Sequence, residues 1–159
     1  MDHASAAAEP WPRHTIDNSS TGADGVRLAD INDDGLPDIV TGWEEGGVGR
    51  VCLNPGPAQA AAKWPAVTVG TVPSVEDAVF ADLDGDGSLD VVSSGEGNTQ
   101  ALFIHWAPKN KMQLLASEAW KTEALPAAQN RMQWMFCLPV QIDGRHGMDL
   151  FVAERLERE

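Results

Sequence analysis

Two stretches of this chain, DINDDGLPDIV at 30–40 and DLDGDGSLDVV at 82–92, are spelled almost alike and start 52 residues apart, at Asp30 and Asp82. A near-duplicate at fixed spacing constrains the fold more than any propensity does, because it marks a repeat architecture in which each unit covers the next. A third, weaker copy, QIDGRHGMDLFVA, starts at Gln141. Tryptophan segments keep the same rhythm: WPRHTID from Trp11, WPAVTVG from Trp64 and WKTEAL from Trp120. Two independent markers with one period give repeats of about 11–63, 64–119 and 120–159. They lie within one segment spanning 10–159, preceded by a tail, 1–9, expected to be disordered.

The residues around the acidic stretches read as strands. GVRLAD and DAVFAD precede them, and DIVTGW and DVVSSG follow. All four are short, rich in Val, Ile and Phe, and bounded by Gly, Asp and Asn. RVCLNPG and ALFIHWAP supply a third strand per repeat, each stopped by Pro, which cannot continue a ladder. AVTVG and WKTEAL supply a fourth, and WPRHTID reads as a lone fourth strand ahead of the first repeat. NKMQLLASEAW hints at a helical turn, and PGPAQAAAKWP reads as a surface connection. The fold class is therefore all-β: four-stranded antiparallel sheets repeated as propeller blades, two full and others partial. Such a set does not close a ring by itself. Closure comes from oligomerisation or from further blades of a longer propeller.

Aligned, the acidic loops place oxygen donors at the first, third, fifth and ninth positions. These are Asp30, Asn32, Asp34 and Asp38 in the first loop, and Asp82, Asp84, Asp86 and Asp90 in the second. Gly35 and Gly87 at the sixth position permit a sharp bend. The backbone carbonyls of Leu36 and Ser88 fall at the seventh. All donors are hard oxygens, with neither His nor Cys, which suits Ca²⁺ over Zn²⁺; their number and looseness favour Ca²⁺ over Mg²⁺. An EF-hand is excluded, since its closing Glu would fall at Thr41 and Ser93 and its flanks would be helices. About two calcium sites are expected. The third loop keeps Asp143 and Asp149 as a degenerate remnant, with Arg145 expected to stand in for the ion by pairing one of them.

At these residues the chain resembles the FG-GAP/VCBS repeat family, the calcium-loop β-propeller repeat of integrin α-subunit heads and many secreted bacterial proteins. The pattern D-x-[DN]-x-D-G-x-x-D is complete at 30–38 and 82–90 and partial at 141–149. The phrases GADGVRLADIN and EDAVFADLDGDG are most similar to environmental-bacterial members. The resemblance implies a propeller, usually of seven blades, with Ca²⁺ held between the first and second strands of a blade.

A net charge of −13 argues against nucleic acid and anionic membranes as partners. No apolar run approaches the roughly 20 residues that span a bilayer. The opening residues show neither the basic nor the apolar region of a secretory signal. Weak calcium sites suit extracellular or periplasmic ion levels, the expected location. Cys52 and Cys137 sit apart in apolar segments and read as small buried hydrophobes.

The expected function is a calcium-stabilised, non-enzymatic module for protein or glycan binding and assembly, self-associating to close its ring. Trp11, Trp64 and Trp120 read as packing anchors, and Trp43 and Trp134 as the freer binding candidates. The alternative is a fragment of a carbohydrate-active enzyme, a polysaccharide lyase or sugar dehydratase. It would draw on His105, His146, Arg145 and the pair Glu44 and Glu45. None of these lies in a recognisable catalytic motif. His105 and His14 read as hydrogen-bonded core histidines, and His3 as part of the tail.

Overall fold

The structure is a computed structural model that describes residues 11–155; the 1–9 tail with His3 lies outside the described residues. Strands β1 (Ala23–Ala29), β2 (Asp38–Trp43), β3 (Val48–Cys52) and β4 (Ala66–Thr71) form one antiparallel sheet in sequence order. Strands β5 (Val75–Ala81), β6 (Asp90–Gly95), β7 (Ala101–Trp106) and β8 (Lys121–Ala124) form a second of the same order. Strands β9 (Trp134–Val140) and β10 (Asp149–Glu154) make a two-stranded third. This is the expected all-β arrangement, consistent with two propeller blades and part of another in a ring that is not closed. Among the described residues, only single turns of 3₁₀-helix, at Lys111–Gln113, Ser117–Ala119 and Pro126–Ala128, interrupt it.

Successive side chains on a strand point to opposite faces, and the middle sheet uses both. Ala78 and Val91 pack toward the first sheet with Val40, Val51, Val67, Val69, Leu114 and Trp120. Their neighbours Val79 and Val92 pack toward the third with Leu102, Ala128 and Cys137. That is why β6 is buried at every position, whereas β1 and β10 are half open. Val26 and Leu28 on β1, and Phe136, Leu138 and Phe151 on β9 and β10, are each more than half exposed. They occupy the two outer faces of the stack.

Small residues let the sheets approach. A Cβ on Gly70 of β4 would run into the His105 ring and the Thr122 hydroxyl. His105 is fully buried there, bonded to Ser93 Oγ and Thr122 Oγ1 at 2.8 Å each, and burial lowers its pKa to about 4. The first strands of the three sheets meet at Asp77. Its Oδ2 accepts from Arg27 of β1 at 2.9 Å and from the Cys137 N–H of β9 at 3.2 Å. Both cysteines are buried and free, and burial raises their thiols to about 11 for Cys52 and about 12 for Cys137.

Five expectations are corrected. WPRHTID forms no strand in its described part: Pro12 removes a ladder donor, and Arg13 and His14 break the apolar alternation. It runs along the edge of the first sheet, where the Trp64 N–H donates to Ile16 O at 2.9 Å and Asp17 pairs with Arg50 at 2.6 Å. Trp11, expected to be an anchor, is 92 % exposed. Trp43, expected to be free, is 7 % exposed because β2 is covered by the second sheet; Trp134 is half-buried against the second core with its Nε1 bonded to Ala128 O. His14 is exposed. Trp120 is a packing anchor as expected, with Nε1 donating to Leu114 O at 3.0 Å.

Candidate functional site

Each acidic loop joins the first strand of a sheet to the second, and all three share one backbone path. The fourth position is left-handed in each, at Asp33 (φ 60°), Gly85 (φ 75°) and Gly144 (φ 71°). So is the sixth, at Gly35 (φ 83°), Gly87 (φ 87°) and His146 (φ 55°). The double reversal turns the chain around the first side chain, which then gathers amide hydrogens. Asp30 accepts from the Asp34 and Gly35 N–H groups at 3.1 and 2.8 Å. Asp82 accepts from Gly85, Asp86 and Gly87 at 2.9 to 3.1 Å. In the second loop single oxygens of Asp82, Asp84 and Asp86 lie within 4.8 Å of one another. In the first, Asn32 stands in the middle place, accepting from the Asp34 N–H at 3.0 Å and donating to Asp34 Oδ2 at 3.0 Å.

The ninth position plays a different part from the others. Asp38 is fully buried, and its two oxygens accept from the Ile31 and Asn54 N–H groups at 3.0 and 2.7 Å. Asp90 does the same with Leu83 and Ala107 at 3.3 and 2.9 Å. Asp149 holds Ile142 at 2.9 Å. These carboxylates tie the loop to its own start and, in the two full sheets, to the end of the third strand. Burial raises the pKa of both Asp38 and Asp90, the latter to about 6, against the lowering effect of their N–H donors; Asp84 and Asp86 raise Asp90 further. Burial is the main cause of the rise, and a bound cation would relieve the smaller part that the neighbouring carboxylates add. The Leu36 and Ser88 N–H groups donate to Asp34 and Asp86 at 2.8 Å, which orients the fifth-position carboxylates.

One segment touches both full loops. Lys109 pairs with Asp86 at 3.0 Å, and Lys111, two residues on, pairs with Asp33. The Ser88 N–H and then Lys109 lower the pKa of Asp86. Beside the second loop the same segment encloses a groove of about 770 Å³, with Trp106, Lys109, Glu118 and Lys121 in its walls.

The third loop departs from expectation. Among the described residues no ion pair joins Arg145 to Asp143 or Asp149. Instead Gln141 Oε1 accepts from the Gly144 N–H at 2.8 Å, and its Nε2 donates to Gly147 O at 2.8 Å and Arg145 O at 3.5 Å. Asp143 accepts from the Arg145 N–H at 2.9 Å.

The catalytic candidates do not assemble. His105 is in the core, His146 and Arg145 sit in the third loop, and Glu44 joins Glu76 and Glu96 rather than acting with Glu45. That trio lies at the opposite end of the sheets from the loops, each with one oxygen within 4.8 Å of the others. Burial first, then Glu96, Glu44 and Asp24, raise Glu76 to about 7. The cluster escapes motif reading, yet the period carries it: Asp24 and Glu76 are 52 residues apart, as are Glu44 and Glu96. The third repeat answers with Arg155, 59 residues beyond Glu96 as Gln141 is beyond Asp82, and Arg155 pairs with Glu96 at 3.2 Å.

Residues 30–93 match the family model described as FG-GAP-like repeat. That segment is similar to an FG-GAP-like repeat. It runs from the first acidic loop through the second, so both loops fall inside it, and its all-β setting is consistent with the FG-GAP/VCBS repeat family. FG-GAP repeats are generally calcium-binding. No curated protein and no solved structure matches the chain.

Proposed function

We propose that this chain is a calcium-stabilised β-propeller module for protein or glycan binding and assembly, without catalytic activity of its own. The observation that carries it is the convergence of Asp82, Asp84 and Asp86 in an FG-GAP-like loop whose backbone is repeated in the first loop. The donor set fits the ion: hard oxygens from a short, acidic, Gly-bent loop. Asp30, Asn32 and Asp34 would hold one ion, and Asp82, Asp84 and Asp86 another. The Leu36 and Ser88 carbonyls, and Asp38 and Asp90 behind them, would complete each shell. Bound calcium supplies positive charge that offsets the clustered carboxylates; the protein's own part is to fix the loop backbone. At an ion concentration ten times the dissociation constant each site adds about 1.4 kcal/mol. Two such sites raise the melting temperature by about 5–10 °C. Sites of millimolar to tenth-millimolar affinity suit an extracellular or periplasmic setting.

The groove beside the second loop supports the binding role, because it joins an aromatic side chain to lysines and a carboxylate. The outer faces support assembly. Within the chain, a face like that of Val26 and Leu28 already packs twice against the face of the sheet before it, and a second copy offers the missing partner. The enzyme alternative draws on one feature, the raised Glu76 in its carboxylate cluster, which would suit proton transfer near neutral pH. Calorimetric titration with calcium tests the first reading, with two sites expected; no heat and an unchanged melt in chelator would sink it. Light scattering in the same two buffers tests assembly, and a 17.0 kDa monomer in both refutes it. Turnover of acidic polysaccharide that disappears in Glu76→Gln would favour the enzyme.

A further inference from the structure

The third loop keeps the backbone of the other two, left-handed at the same two positions, although its first and fifth carboxylates are gone and a His occupies a sixth position that favours Gly. Something other than an ion must hold it. We propose that the Gln141 side-chain amide is a built-in substitute for the cation, leaving this loop permanently set while the first two depend on the ion. The amide's orientation is unambiguous. Its oxygen receives the Gly144 N–H and its nitrogen faces the carbonyls of Arg145 and Gly147. Reversing it would set N–H against N–H and oxygen against oxygen. The oxygen does what Asp82 Oδ1 does for the Gly85 N–H at 2.9 Å. The nitrogen does what a carboxylate cannot: it gives hydrogens to the fifth- and seventh-position carbonyls. A Glu at 141 would set a carboxylate oxygen against those carbonyls and be repelled unless a cation lay between them; the shorter Asp82 turns its second oxygen to the Gly87 N–H instead, at 3.1 Å.

The lock has a structural reason. The third loop is seated on the second, with the Met148 N–H donating to Asp82 O at 2.9 Å. Gly147 lies so close to the Leu83 carbonyl that a Cβ would collide with it. A set third loop presents a fixed surface to the backbone of the second whether or not an ion is bound.

The inference rests on reading the first two loops as ion sites, and the test separates the two. Hydrogen exchange would be followed by mass spectrometry on the full chain in calcium and in excess chelator, for wild type, Gln141→Glu and Gln141→Leu. In wild type the peptides covering 30–38 and 82–90 should exchange faster in chelator, while 141–149 stays unchanged. Gln141→Leu should exchange about five- to tenfold faster at 141–149 in both buffers, as expected for a lost hydrogen-bonding group. Gln141→Glu, nearly isosteric, should do so in chelator and recover in calcium, turning a metal-free loop into a metal-dependent one. Wild-type 141–149 losing protection in chelator with the other loops, or wild-type exchange in both variants, overturns the proposal. Unchanged exchange at 30–38 and 82–90 overturns instead the calcium reading of those loops, and Gln141→Leu still decides whether the amide holds the third.

Discussion

The second and third loops trace one path with different chemistry. At 82–90 the turn is lined by four carboxylates, balanced in part by Lys109; at 141–149 two carboxylates remain, and an amide sits where the first would be. The acidic trio at the far end changes in step, with Glu44 and Glu96 answered in the third repeat by Arg155. Comparing them shows what in such a loop is architecture and what is ion chemistry. The left-handed turns and the backbone N–H bonds accepted by the ninth-position Asp survive in every copy, so they belong to the fold whether or not that Asp also faces an ion. The carboxylates at the first and fifth positions are replaced, so they belong to the ligand.

The largest test of that division lies at the ninth position. Asp90→Ala leaves the Leu83 and Ala107 N–H groups without their acceptor and should destabilise by about 2–4 kcal/mol. Asp149→Ala, at a more open site with one such bond, should lose about 1 kcal/mol. Chemical denaturation of the two variants measures the difference, and equal losses would break the claim that the full sheet depends more on this clamp. Next comes the seam between the loops. Gly147→Ala should lose about 1–3 kcal/mol by pressing a methyl group into the Leu83 carbonyl.

The sixth position gives a smaller and opposite pair of effects. Gly87 has open space around its Cβ position, so Gly87→Ala should cost about 1 kcal/mol through its left-handed backbone alone. His146→Gly should gain about 0.5 kcal/mol, the relief of strain exceeding the added freedom of the unfolded chain. Loss of stability in His146→Gly would mean that the His ring does work in the third loop.

The smallest effect concerns pH. Glu76 holds its proton more tightly when folded, up to about pH 7, than an ordinary Glu does. Its contribution is fully present below the usual Glu range and is lost as pH rises through about 7. His105, held down to about 4, works the other way, losing stability as pH falls from the ordinary imidazole range. The readout is therefore the melting temperature of wild type minus that of Glu76→Gln, followed from about pH 5 to pH 8 in chelator, which should decline with pH. A flat difference would remove Glu76 from the acidic cluster as a coupled group.

Much of this molecule is legible because a repeat states its pattern more than once. The strands around DINDDG and DLDGDG, their antiparallel order and the half sheet at the end follow from periodicity and β-branched composition. So does the oxygen-rich turn between first and second strands. Trp43 and Trp11 were illegible for one physical reason: a tryptophan's exposure depends on which sheet covers it, and no local pattern carries that information. WPRHTID shares the Trp-Pro start of WPAVTVG, yet lacks the alternation that a strand needs.

The order of residues alone determined the period, the four-stranded unit and the residue types offered to a cation. Only the tertiary structure decided which charges meet. Glu44, Glu76 and Glu96 come together because separate sheets stack in register, and Gln141 reaches two carbonyls because the loop closes around it. Contacts between distant segments depend on how faces pack, and packing is a property of the assembled sheets rather than of any one of them.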